Sequence, residues 1–106
     1  MWICFNNAFV SIVQDAQEPG NLLVRARAKK HLTALFPRRR VTRTPKADYR
    51  WRVSMPAKAV AALVAAKING IDYGNFKDSV EDAKLHEMYA LWWGDHYKFQ
   101  GFQGDQ

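Results

Sequence analysis

Apolar and polar residues alternate along the first half of this chain and recur at gaps of three and four along the second half. Residues 1–5 and 8–13 are two β-prone runs joined at Asn6 and Asn7, whose side chains tolerate the positive φ that a tight hairpin uses. A turn cluster over residues 17–21 follows. Leu22, Val24, Ala26 and Ala28 then alternate with Leu23, Arg25 and Arg27, the pattern of a half-buried strand. His31, Leu32, Leu35 and Phe36 have helical spacing until Pro37 stops them, which predicts a short helix. Residues 41–44 are β-prone but broken by Pro45, so they can form at most an edge strand. In residues 48–55, Tyr49, Trp51, Val53 and Met55 alternate with Asp48, Arg50, Arg52 and Ser54.

Pro56 suits the first turn of a helix because that turn does not use its missing N–H. Val60, Leu63, Val64, Lys67 and Ile68 trace the stripe of that helix, with Gly70 expected just past its end. After a loop over residues 71–77, Ser79 is the expected cap of a last helix, with Glu81 and Asp82 near its positive end. Leu85, Met88, Tyr89, Trp92, His96 and Phe99 carry that helix to about residue 99. Strands first and helices last predict an α+β fold: an antiparallel sheet of four to five strands, with two main C-terminal helices and one short helix packed on one face. A single domain over residues 1–100 and a flexible tail over residues 101–106 complete the expected organisation.

Composition supports a packed domain, since 48% of the 106 residues are hydrophobic and 13% are aromatic. The lone Cys4 excludes an intrachain disulfide and any zinc site needing several thiolates, and fits a reducing cytoplasm. The apolar opening over residues 1–13 lacks a basic lead and is split by the two asparagines, so neither a targeting segment nor a membrane partner is expected.

Charge changes the picture most. Residues 25–58 hold twelve cations against Asp48 alone, whereas residues 59–106 hold four against seven acids. If the two alternating segments share a sheet, Arg25, Arg27, Arg50 and Arg52 project from the face opposite the helices. Lys29, Arg38, Arg39, Arg40 and Arg43 flank them. Planar, permanently charged guanidinium groups match phosphate oxygens, so this segment is a candidate nucleic-acid surface, or one that grips a nucleoprotein or acidic protein. The plainer account is a solvated face that also deters edge pairing. Tyr49 and Trp51 sit among the arginines as base-stacking residues do, but their alternation puts them on the core side.

Trp92 and Trp93 are adjacent on a helix and cannot both face inward, which makes Trp93 the candidate exposed contact. Catalytic signals are weak. Asp82 and His86, one helical turn apart, supply two ligands with no third nearby, and His96 lies off their line. Ser11, Ser54 and Ser79 lack a nucleophile context, no glycine-rich phosphate loop occurs, and Cys4 in an apolar strand reads as inert packing. No catalytic residue, metal or cofactor is therefore assigned. The leading expectation is a non-enzymatic binding protein. The competing ones are a small metal-dependent nuclease or hydrolase using Asp72, Asp82 or His86, and an adaptor for an acidic protein surface.

Several segments together carry a likeness: Met1 and Trp2 leading into residues 8–13, residues 23–27, residues 47–52, and the string Ile71, Asp72, Tyr73, Gly74, Asn75, Phe76, Lys77 followed by Val80. With the Tyr- and Trp-bearing last helix, the chain resembles a family of uncharacterised small bacterial proteins that share an I-D-Y-x-N-F-K motif. That resemblance implies no activity. It implies a role for Asp72, Tyr73, Asn75, Phe76 and Lys77, either as a structural clasp or as a contact site. In the clasp, Tyr73 and Phe76 anchor the loop while Asp72 and Asn75 hydrogen-bond its backbone. In size and non-catalytic character the chain is also similar to the anti-CRISPR inhibitors of phages and mobile elements, which implies a CRISPR-type complex as partner.

Overall fold

The first hairpin closes around Asn6 and Asn7. In the computed structural model, which describes residues 1–104, β1 (Trp2–Phe5) and β2 (Ala8–Gln14) pair antiparallel with Phe5 opposite Ala8. Neither asparagine takes the positive φ that their presence suggested, because tolerance of that region does not impose it. The next turn does need it, and Gly20 supplies φ 86° there. The Gly20 carbonyl also accepts the Ala57 N–H at 3.1 Å.

The sheet is wholly antiparallel, in the order β1-β2-β3-β5-β4, with β3 at Asn21–Ala26, β4 at Thr42–Arg43 and β5 at Trp51–Pro56. The two-residue β4 lies at the edge, as Pro45 requires. α1 (Lys29–Leu35) follows β3, and α2 (Ala57–Asn69) follows β5 directly, with Pro56 as the last strand residue and N-cap. The inward positions of the strands, Val10, Val24, Ala26 and Val53 among them, pack with Leu32 and Leu35 of α1 and Val60 of α2. Each large side chain buried there stabilises the fold by roughly 1.5–3 kcal/mol. His31 joins this layer as a polar member: its Nδ1 accepts the buried Phe9 N–H at 3.3 Å. Of the α2 stripe, Val60 is buried and Leu63 and Val64 pack half-buried against the core, whereas Ile68 at its end is 60% exposed. Gly70 caps α2 at φ −92°, not in the left-handed conformation expected of it.

The chain divides into two compact units, Met1–Asp72 and Tyr73–Gln106. The second holds a 3₁₀ turn at Lys77–Ser79 and α3 at Ala83–Gln103. Asp82, not Ser79, caps α3, its Oδ1 accepting the Leu85 N–H at 2.9 Å. Ser79 instead donates to the Phe76 carbonyl within the 3₁₀ turn, and the extended Val80 separates that turn from the helix. α3 outruns its expected end at about residue 99 and passes through Gly101, so residues 101–103 are helical and not tail; Gly104, at φ 68°, follows the last turn. The remainder of the expected tail, Asp105 and Gln106, lies outside the described residues. An α+β fold with a five-stranded antiparallel sheet, two longer C-terminal helices and one short helix is what the pattern predicted.

A polar relay ties the ends of β2, β3 and β5. Asn21 Nδ2 donates to Ser54 Oγ at 3.1 Å, and Ser54 Oγ donates to Asp15 Oδ2 at 2.5 Å. The Ser54 hydroxyl first, and then the Gln17 N–H, hold the Asp15 carboxyl below its ordinary value of 3.8. A depressed carboxyl contributes stability above its unfolded pKa and loses it as pH falls through the folded value. Ser54→Ala is expected to raise the Asp15 pKa towards 3.8 in an NMR titration; an unchanged midpoint would contradict the relay.

Candidate functional site: arginines around Tyr49 and Trp51

Strand register, more than charge count, decides which basic residues meet. β3 and β5 pair so that Arg25 stands directly opposite Arg52, and β2 places Ser11 opposite Arg25 on the other side. Alternation puts this row on the face away from Val24 and Val53. Arg25 Nη2 donates to the buried Ser11 Oγ at 2.8 Å, and Arg52 Nη2 donates to the Tyr49 carbonyl at 3.2 Å. The Tyr49 ring, only 5% exposed, lies 4.7 Å from the Arg25 guanidinium carbon and 4.3 Å from that of Arg27. Such contacts are worth about 0.5–2 kcal/mol each.

This cluster is electrostatically unfinished. Arg27 has a carboxylate, Asp48 Oδ1 at 3.2 Å, in an exposed pair that contributes little. Among the described residues none pairs with Arg25 or Arg52, although both are half-buried and cross-strand neighbours of like sign. Their Nε atoms are both buried without a hydrogen-bond partner. Each such donor costs about 1–3 kcal/mol.

The expected single basic face is divided. Arg25, Arg27 and Arg52 gather at Tyr49. Lys29 Nζ and the Arg43 guanidinium carbon lie 5.6 and 5.8 Å from the Trp51 ring centre, and Trp51, paired with Arg43, packs against the core. Arg38, Arg39 and Arg40 are exposed in the turn after α1. Arg50 is exposed ahead of β5, where its carbonyl accepts the Thr44 N–H. Tyr49 is buried as expected, but under the arginines and not in phase with Trp51, because the strand begins only at Trp51. Arg25 and Arg52 are correspondingly less exposed than a solvated face implies. Ser11, dismissed as a nucleophile, is the residue sequence reasoning missed; only the pairing register brings it to Arg25.

In the second unit the aromatic residues of the motif loop meet α3. Phe76 lies 5.9 Å from Tyr73 and 5.2 Å from Tyr89 of α3, and Tyr89 lies 5.7 Å from Trp92. Asn75 Oδ1 accepts the Asp78 N–H at 3.1 Å, whereas Asp72 is exposed and makes no side-chain hydrogen bond among the described residues, contrary to its expected backbone role. Trp93 is 54% exposed, stacked on Tyr97, with Lys77 Nζ 4.3 Å from its ring centre.

Of the residues weighed for catalysis, Asp82 caps α3 and its carbonyl accepts the His86 N–H. No group of three or more His, Cys, Asp or Glu placed to hold a metal occurs among the described residues. Cys4 is exposed, not packed inside. Among the described residues no helix is long and apolar enough to cross a membrane. No family model, curated protein or solved structure matches the chain.

Phe76→Ala is expected to cost about 2–3 kcal/mol in urea unfolding, because it removes a half-buried ring between two others. Lys77→Ala is expected to cost about 0.5 kcal/mol. Equal costs would contradict the assignment of the loop to packing.

Proposed function

We propose that the protein binds the phosphate backbone of a nucleic acid, free or within a nucleoprotein complex, through Arg25, Arg27 and Arg52. Lys29, Arg38, Arg39, Arg40, Arg43 and Arg50 extend the contact. The observation that carries this reading is the cross-strand pair of half-buried arginines with no carboxylate beside them among the described residues. A fold selected for stability alone would place a carboxylate or an apolar side chain there. A phosphate oxygen supplies the missing negative charge. The site acts in the cytoplasm and without catalysis. Inhibition of a CRISPR-type complex, by occupying its guide or target backbone, is the most concrete form of this function.

Arg25→Met and Arg52→Met keep an unbranched side chain of similar length while removing the charge. Each is expected to leave the melting temperature unchanged or raised, because a half-buried charge with no carboxylate beside it is relieved. Each is also expected to weaken binding of a labelled oligonucleotide about tenfold, as loss of a charged hydrogen bond implies. Unchanged oligonucleotide affinity would overturn the reading. A fall in melting temperature in both variants would show that the arginines serve the fold.

A further inference from the structure

Every residue of α3 from Asp95 to Gln103 is exposed, large apolar side chains among them. Leu91 is 67% exposed, Phe99 63% and Phe102 84%, and Asp95 and Lys98 between them are exposed too. Leu91, Asp95, Lys98 and Phe102 follow at gaps of four, three and four, which sets them on one stripe of the helix with Phe99 on its flank. Asp95 and Lys98, three residues apart on the same helix, make no ion pair with each other or with any other described residue.

We infer that this stripe pairs antiparallel with the same stripe of a second copy of the chain. The sequence of the stripe is its own complement. Turned end for end about a two-fold axis between residues 96 and 97, it sets Leu91 against Phe102 of the second copy and Asp95 against Lys98 of the second copy. The same two contacts then recur in reverse, as an isologous interface requires. A parallel arrangement would set Asp95 on Asp95 and Lys98 on Lys98, so charge selects the antiparallel one. Two apolar pairs flank two ion pairs, and the ion pairs fix the register while the apolar pairs supply most of the attraction. The paired segment is about 18 Å long at 1.5 Å per residue. An interface this small gives a weak dimer that dissociates on dilution. The pairing does not rest on the nucleic-acid reading, and it would double the number of basic units in one particle.

Sedimentation equilibrium on the full chain is expected to show the mass rising with concentration towards twice 12.2 kDa. Asp95→Lys and Lys98→Asp, each of unchanged helix content by circular dichroism, are expected to weaken self-association at least tenfold. An equimolar mixture of these two variants restores a dimer, because each cation then faces an acid. The double exchange within one chain restores it as well. A wild-type mass that stays at 12.2 kDa throughout would overturn the inference. So would a dimer indifferent to Asp95→Lys, or two variants that fail to associate when mixed.

Discussion

An antiparallel register decides which side chains stand shoulder to shoulder, and here the pairing of β3 with β5 places two guanidinium groups side by side. Much of the character of Met1–Asp72 follows from that constraint. The same register that puts Val24 beside Val53 in the core puts Arg25 beside Arg52 on the other face, so the chain cannot slip by one residue to separate the charges without exposing its apolar row. Tyr49 offers its ring to Arg25 and Arg27 and its carbonyl to Arg52, which offsets part of the repulsion. No carboxylate neutralises the pair among the described residues, and two donors remain unmet. The pair thus stands at some expense to the fold, and the proposed phosphate contact accounts for its being kept.

The strands and helices were legible because their periods are strong: Leu22 to Arg27 and Trp51 to Met55 alternate cleanly, and Pro37, Pro45 and Pro56 punctuate them. Tyr49 was misplaced because period-two reasoning extends a strand backwards through residues that are not paired. Its contact with the arginines depends on the backbone turning ahead of Trp51, which no local pattern encodes. The division of the basic residues between Tyr49 and Trp51 was hidden for a related reason. Arg43 is carried by a two-residue edge strand whose phase is set only by its pairing with Trp51. Ser11 gave no signal at all, since its role arises from a strand fourteen residues away.

Tyr73–Gln106 follows a different logic. Residues Tyr73, Phe76, Tyr89 and Trp92 hold the motif loop to α3 through successive ring contacts, and Asp82 begins the helix where the loop ends. The distal turns of α3 contribute little to that packing and carry their aromatic residues outward. Charge separates the two units as well: thirteen cations and four acids in the first, three cations and six acids in the second. The proposed polyanion contact therefore falls to the first unit, and the proposed self-pairing to the second.

The salt dependence of binding tests the central claim most directly, because it counts phosphates neutralised without reference to fold stability. For a contact of about five phosphates on duplex DNA, log K plotted against log salt is expected to fall with a slope near −4.5. In the Arg25→Met, Arg52→Met double variant the slope is expected to be shallower by about 2, one unit for each charge removed. Equal slopes in the two proteins would contradict the account, since they would mean that the arginine pair never meets the phosphate backbone.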